Sequence, residues 1–531
     1  MLAAIAVDQA GRIVDAREGQ RVLPPPYPGQ PPAVLPAHCE VTGLLQERTG
    51  RLGQHYAIHY RLRMPQAWNG RLLFQGGGGT DGDLGNAIGD TGSAAPSALA
   101  RGFAVVSQDS GHDNATNTDP AWGGQTVFGT DPVARRNYGH ASLPLVTRAA
   151  KSLVASYYGK KADHSYFFGC SKGGQEGMAA AQRYPDLFDG IVAGAPGFAL
   201  PRAGLNEVWS VQHFAALARQ QTGRPATVAS IAATFTPAQF GLVRGAVLDA
   251  CDAADGLADG ITADFRRCTA KAVLAQLKNK ACRAGEGGDC LTDAQIRTLA
   301  SVMDGPRDGR GRALYAPWTW DAGVGSPMWS SWRIGSAQMP ALDVVLGGAA
   351  MATVFSTPAI AVSPAPDALL AFQQGLTLPA AERAIYARDA QFPTSAWQDI
   401  GMHSADLSAF FARGGKLMVP HGAADPVFSL LDTLAWWDRV NARFGTTTQD
   451  HLKVYPVPGM AHCFGGPAVS DYDLLQPMVD WVEHGTAPVI VARAGGQTPW
   501  PGRTRPLCAW PRVARYRDGD REKADSFVCT Q

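Results

Sequence analysis

The residues Ser165 to Phe168 (SYFF), the pentapeptide Gly169-Cys170-Ser171-Lys172-Gly173 and the stretch Gln175 to Tyr184 (QEGMAAAQRY) read in succession as strand, tight turn and helix. No other feature constrains the fold as strongly, because a buried strand feeding directly into a helix is the repeating unit of a doubly wound α/β sheet. Further text extends that sheet. Arg71 to Gln75 (RLLFQ) and Phe103 to Ser107 (FAVVS) are short apolar runs closed by glycine or polar residues, as buried parallel strands are. Ala141 to Tyr158 carries apolar residues at helical spacing. After Pro201 and up to about Met402 the strand pattern fades, and Ala, Gly and Pro accompany four cysteines and the tryptophans Trp318, Trp320, Trp329 and Trp332. Strand-like text returns at Lys416 to Pro420 (KLMVP) and Leu452 to Val457 (LKVYPV), with a helical stretch from Leu430 to Phe444 between them. A chain of 531 residues exceeds what one hydrophobic core usually organises. The expected architecture is therefore an α/β domain formed by residues 38–201 and 403–531, split by a lid over residues 202–402. Residues 1–37 include the run Leu23 to Pro36 (LPPPYPGQPPAVLP), too rich in proline for a helix or central strand, and are expected to lie as an extended surface arm.

Charge and cysteine usage narrow the function classes. Lys and Arg number 47 against 46 Asp and Glu, with no block of like charge, so the balance offers nothing to a phosphate backbone or an anionic membrane. No apolar run reaches the ~18 residues of a membrane-spanning helix. Met1 to Val7 is apolar but lacks a basic flank and runs into Asp8, which is not the pattern of a signal peptide, so the start reads as truncated or already processed. The nine cysteines stand mostly in close couples or near the C-terminus, which suits disulfides in a secreted or periplasmic protein. The alternative is a set of buried thiols in a cytosolic enzyme.

The pentapeptide matches G-x-S-x-G. A serine on a strained strand-to-helix turn needs small neighbours, here Gly169 and Gly173, so that its hydroxyl can stand out at the top of the sheet. An ordinary turn would also fit the pentapeptide alone. Such a nucleophile requires a base and an acid that orients it, following in the order serine, acid, histidine from loops after later strands. Asp425 lies in His421-Gly422-Ala423-Ala424-Asp425-Pro426 directly after KLMVP, and His462 lies in Pro458-Gly459-Met460-Ala461-His462-Cys463 directly after LKVYPV. Read singly, Asp425 fits a turn or helix cap and His462 a satisfied loop histidine. For the oxyanion, the candidate donors are the N–H of Lys172 and one from Gln75-Gly76-Gly77-Gly78-Gly79, where Gly78 is chosen. Together these features point to a serine esterase of the α/β-hydrolase fold.

With Cys170 beside Ser171 and Cys463 beside His462, the set Cys-Ser, Asp, His-Cys resembles the arrangement of the tannase and feruloyl esterase family. The resemblance runs from roughly His38 to the C-terminus. It implies a lid between the serine and aspartate portions, a Cys170–Cys463 disulfide, and activity on small aromatic carboxylic esters, since the family holds tannases, feruloyl esterases and mono-hydroxyethyl terephthalate hydrolases. It further implies the disulfides Cys251–Cys268, Cys282–Cys290 and Cys508–Cys529, and it leaves Cys39 alone, whose counterpart in relatives pairs with an earlier cysteine.

In Cys251 to Ile261 (CDAADGLADGI), three carboxylates fall within eight residues; the pattern by itself suits a hard cation or solvated Asx turns. The resemblance implies a structural Ca²⁺ held by the side chains of Asp252, Asp255 and Asp259 and the carbonyls of Leu257 and Ile261. It also sets Phe428, three residues after Asp425, at a position that lines the aromatic pocket of terephthalate-ester hydrolases, and lid tryptophans such as Trp332 are expected to close over a ring, unless these aromatics are lid core. Gly347 to Phe355 (GGAAMATVF) carries no basic residue to grip a terephthalate carboxylate, and Arg333 is an unplaced candidate. Feruloyl- or galloyl-type esters are therefore expected ahead of mono-hydroxyethyl terephthalate. The rival readings are a peptidase, for which nothing marks a site for a free peptide N-terminus, an acyltransferase using another alcohol, and an inactive hydrolase-fold protein that binds a carbohydrate or polyphenol.

Overall fold

The structure, a computed structural model, describes residues 11–23, 33–283, 290–496 and 498–531. Its centre is a nine-stranded sheet in the order β1-β2-β3-β5-β4-β6-β7-β8-β9. The strands β4 (Arg71–Gln75), β5 (Ala104–Gln108), β6 (His164–Cys170), β7 (Gly190–Gly194), β8 (Lys416–Gly422) and β9 (Leu452–Val457) run parallel. Their apolar runs are buried on both faces, and side chains alternate between two cores as the pleat requires. Leu72, Phe74, Val106 and Phe167 face one core, where helices α1 (Ser142–Tyr158), α2 (Lys172–Arg183) and the Leu430–Phe444 helix pack. Leu73, Val105, Tyr166 and Met418 face the other, closed by the Leu475–His484 helix.

The amino-terminal part departs from the expected arm. β1 (Arg12–Leu23) pairs antiparallel with β2 (Ala33–Thr49), which pairs antiparallel with β3 (His55–Pro65), extending the sheet at one edge. The sheet tolerates Pro36 because it lies where the β1–β2 register breaks, between the Gly19 and Arg21 pairings, and before the pairing with β3 starts at His38. The remaining prolines of the run, at 24–32, lie outside the described residues. β7 (GIVAG) was not anticipated either; its glycines are set by neighbours, since a Cβ on Gly194 would stand 3.1 Å from Cys170 Sγ and one on Gly190 would stand 2.7 Å from Met478 Sδ.

Between β7 and β8 the described residues contain helices and no sheet strand, beginning with α3 (Leu200–Thr222) and α4 (Pro237–Cys251). Capping boxes at Thr236 and Thr292 start two of them. Residues of this segment such as Phe214, Trp329 and Val344 belong to the same continuous core as α1 and α2, so the segment is packed on the sheet rather than tethered to it. Two small hairpins, β10 (Ile490–Arg493) with β11 (Thr504–Leu507) and β12 (Val513–Tyr516) with β13 (Phe527–Thr530), end the chain. Disulfides join Cys170 to Cys463, Cys251 to Cys268, Cys282 to Cys290 and Cys508 to Cys529, and Cys39 is buried and free. Among the described residues no helix is long and apolar enough to cross a membrane.

Candidate active site

Ser171 stands between β6 and α2 with φ 65° and ψ −120°, a conformation that residues with side chains rarely adopt. The surrounding glycines make it attainable. A Cβ on Gly169 would lie 2.7 Å from the Gly173 carbonyl, and one on Gly173 would lie 2.7 Å from Gly77 O. The elbow is also tied to the end of β7, because Ser171 N–H donates to Gly194 O at 3.0 Å and Ser171 O accepts from Gly197 N–H at 3.2 Å.

The loops after β8 and β9 deliver the two partners. His462 Nε2 lies 2.7 Å from Ser171 Oγ across 291 residues of sequence, and His462 Nδ1 lies 2.8 Å from Asp425 Oδ2. Asp425 is buried, and its Oδ1 accepts the N–H groups of Val427 (2.7 Å) and Phe428 (3.1 Å), which fixes the carboxylate plane. His421 was given no role from sequence, yet its Nε2 stands 3.5 Å from Asp425 Oδ2 and 2.9 Å from Phe428 O, with Nδ1 2.9 Å from Thr433 Oγ1. Burial pushes the Asp425 carboxyl up, but the neighbouring His462 and His421 more than offset this and hold it well below the usual carboxylate range. The Cys170–Cys463 disulfide, with a Cα separation of 6.1 Å, joins the residue before the serine to the residue after the histidine.

The two backbone segments chosen for the oxyanion lie side by side. Lys172 opens α2, so its N–H has no acceptor within the helix. In the glycine loop, Gly76 N–H bonds to Phe168 O at 2.9 Å and Gly77 N–H to Glu176 Oε2 at 3.0 Å. Gly78 N–H is engaged by no protein acceptor among the described residues, and a Cβ there would meet nothing within 4 Å.

Two aromatic rings stand edge-on to the histidine. Phe428 and Trp332 have centroids 5.3 and 5.7 Å from the His462 ring, both at 75° to it. Arg333 is turned away from this role. It is buried, its guanidinium lies 4.4 Å over the Trp318 ring, and Nη1 meets Ser210 Oγ at 2.5 Å and Asp343 Oδ2 at 3.1 Å. Its charge is spent on Asp343 and Ser210, so it is no hand for a substrate carboxylate.

The acidic loop follows α4. Asp252 accepts from the N–H groups of Asp259 (3.2 Å) and Gly260 (3.0 Å), and Asp255 accepts from Leu257 (3.1 Å) and Ala263 (3.3 Å). Asp259 accepts from Ile261 N–H at 3.1 Å and is ion-paired with Arg505, on the C-terminal hairpin. The Ile261 carbonyl accepts from Ala263 N–H at 3.1 Å. Among the described residues no three acidic, histidine or cysteine side chains converge as a metal cage. The donors nevertheless fit a hard cation in kind: Asp255 is buried near the like charges of Asp252 and Asp259, and no ion-pair partner faces it among the described residues.

The profile of the family described as tannase and feruloyl esterase matches residues 39–530. The chain is 41% identical over 521 residues to a mono(2-hydroxyethyl) terephthalate hydrolase from Piscinibacter sakaiensis, an alignment covering 94% of this chain and 85% of that protein. Among solved structures it is similar to an esterase from Aspergillus oryzae, with TM-score 0.76, 25% identity, and coverage of 98% of this chain and 96% of that one. Feruloyl esterase B of the same organism shares the fold, with TM-score 0.76, 23% identity and the same coverage.

Proposed function

Because the chain belongs to the tannase and feruloyl esterase family of carboxylic ester hydrolases, we propose that it cleaves esters of aromatic carboxylic acids through an acyl-enzyme on Ser171, with His462 as general base and Asp425 as the acid that orients it. The observation that carries this reading is the hydrogen-bonded relay from Ser171 Oγ to His462 at 2.7 Å and from His462 to Asp425 at 2.8 Å.

In the first step His462 Nε2 takes the proton of Ser171 as Oγ attacks the ester carbonyl carbon. The N–H groups of Lys172 and Gly78 receive the oxyanion. Collapse of the tetrahedral intermediate breaks the bond to the alcohol oxygen, and His462 returns its proton to the departing alcohol. Water, deprotonated by the same histidine, then attacks the acyl carbon; the bond to Ser171 Oγ breaks, His462 returns the proton to Oγ, and the acid is released. Asp425, held by the amides of Val427 and Phe428, keeps Nδ1–H pointed at its carboxylate and stabilises the imidazolium. Phe428 and Trp332 supply aromatic walls for the acyl ring.

Hydroxycinnamoyl or galloyl esters are the preferred substrates in this reading, since Arg333 is internally paired and Gly347 to Phe355 holds no cation for a second carboxylate. The 41% identity to the Piscinibacter sakaiensis enzyme favours mono-hydroxyethyl terephthalate as the second. A structural Ca²⁺ belongs to the proposal: the carboxylates of Asp252, Asp255 and Asp259 with the carbonyls of Leu257 and Ile261 would hold it, and it would neutralise the charge gathered in that loop. The four disulfides support secretion or residence in a periplasm.

The test is hydrolysis of methyl ferulate, methyl gallate and mono-hydroxyethyl terephthalate by the protein and by Ser171→Ala. Serine-dependent release from one ester identifies the branch. Hydrolysis retained by a highly purified Ser171→Ala protein sinks the mechanism, and failure of a fluorophosphonate to label Ser171 would instead mark an inactive binding scaffold.

A further inference from the structure

We propose that the buried side chains of Lys172, Glu176 and Asp81 form the positioning device of the oxyanion hole, locking together the two backbone segments whose N–H groups receive the developing negative charge. The inference rests on the assignment of Ser171 as nucleophile.

The hole is built from the glycine loop after β4 and from the first residue of α2, and no covalent link joins the two. Glu176 bridges them. It lies one turn after Lys172, and its Oε2 reaches 99 residues back to accept the Gly77 N–H at 3.0 Å. Its Oε1 stands 3.2 Å from Lys172 Nζ and 3.1 Å from Ser110 Oγ, and it accepts from Gln108 Nε2 at 3.1 Å. Asp81 closes the other side of the loop: its N–H donates to Gly78 O at 2.9 Å, while Oδ2 lies 3.4 Å from Lys172 Nζ and accepts from Ser110. Gly77 O accepts the Gly173 N–H at 3.1 Å. Gly78 is thus held on both sides with its own N–H left free. Lys172 contributes twice, its backbone N–H to the hole and its ammonium to the carboxylates that hold the opposite donor.

The side chains of all three are 1% exposed. Taking ions out of water is costly, so a merely structural contact here would be served as well by apolar residues. Donors fixed in place before the charge develops are what this cost secures, because an oxyanion hole works only if nothing has to reorganise. Burial, against the pull of Lys172, leaves the Asp81 carboxyl raised, whereas Lys172 and the Gly77 amide overcome burial at Glu176 and leave it lowered.

The experiment compares Glu176→Gln and Ser110→Ala with the parent enzyme on an ester that the parent cleaves, together with the affinity of each for phenylboronic acid, which forms a tetrahedral adduct on an active serine. Gln keeps the size of Glu but puts an N–H₂ where donors converge. The expected result is a kcat lowered about 10- to 100-fold with KM changed less than about threefold, and boronate affinity weakened in step with kcat. Ser110→Ala, which removes one hydroxyl and no charge, should move both in the same direction by about threefold or more. A structural role alone would lower the melting temperature without moving kcat per folded molecule. Folded variants that keep kcat and boronate affinity within about twofold, or that lose only KM, overturn the inference. Should Glu176→Gln fail to fold, Ser110→Ala decides by the same limits. Ser171→Ala is measured alongside: if it is inactive while these variants keep kcat and boronate affinity within about twofold, the mechanism stands and the positioning role falls, and if it stays active both fall.

Discussion

Beneath Ser171 two carboxylates share one buried lysine, whereas in the acidic loop three carboxylates are satisfied mainly by amides of their own loop. The first cluster draws Asp81, Gln108, Ser110, Lys172 and Glu176 from three separate segments. The second draws its carboxylate partners mainly from 252–263, with Arg503 and Arg505 reaching Asp259 from the C-terminal part of the chain. A cluster assembled across the fold has no substitute partners when one member is lost, so damage to it should register as lost geometry at the site. A loop that satisfies itself can exchange an amide for a cation or a water, so damage there should register as lost stability with the chemistry intact.

The triad is the sharpest place to break this contrast, because it too is assembled across the fold. Asp425→Asn is expected to lower kcat about 10⁴-fold by releasing the His462 tautomer, with the melting temperature little changed. A loss below tenfold, measured on any ester the parent cleaves, would show that the relay does not depend on the distant carboxylate.

Next in size are the disulfides that brace the two regions. Cys170–Cys463 closes 293 residues and Cys251–Cys268 closes 17, so by chain entropy alone their removal costs about 5–6 and about 3 kcal/mol. Guanidinium unfolding of the paired Cys→Ser variants should preserve that order, and only the first pair should also depress kcat. Equal losses of activity from both would dissolve the distinction between the regions.

Chelation sharpens it from the other side. Stripping divalent cations with EDTA should lower the melting temperature by about 2–5 °C and leave kcat at 25 °C unchanged, since the loop braces α4 against the C-terminal hairpins rather than the triad. An unchanged melting temperature would remove Ca²⁺ from the loop.

The smallest effect concerns a long-range ion pair with no chemical duty. Glu483 accepts Arg71 Nε (2.7 Å) and Nη2 (2.6 Å) and the Tyr166 hydroxyl, and the hydrogen bonds from Arg71, against partial burial, hold its carboxyl at about 2. A depressed folded-state value means that the pair stabilises fully above the ordinary glutamate range and that this contribution is lost as pH falls toward 2. Glu483→Gln should therefore cost about 1 kcal/mol at pH 7 and nothing near pH 2, read from urea unfolding at the two pH values.

Much of this molecule was legible in its sequence because the relevant signals are short-range. β4, β8 and β9 are apolar runs with sharp ends, the helix Leu430–Phe444 repeats every three to four residues, and Ser171 sits on a turn whose glycines announce it. Asp425 and His462 follow their strands directly, and the structure brings both within hydrogen-bond reach of the serine relay. β7 escaped notice because two glycines and an alanine in five residues carry no strand signature, their small size being imposed by Cys170 and Met478 from elsewhere. The amino-terminal hairpin escaped because proline argues against a strand unless a register break is there to receive it, and that break belongs to the pairing with β1.

By itself the sequence determined the α/β order, the elbow, the placing of Asp425 and His462 directly after their strands, and the acidic run, each of which depends on residues near one another in the chain. Only the tertiary structure decided that Arg333 is spent on Asp343 and Ser210, that His421 backs Asp425, and that Asp81 and Glu176 meet Lys172 under the glycine loop. The reason is physical: a buried charge is defined by the partners that compensate it, and here those partners come from segments that no local pattern connects.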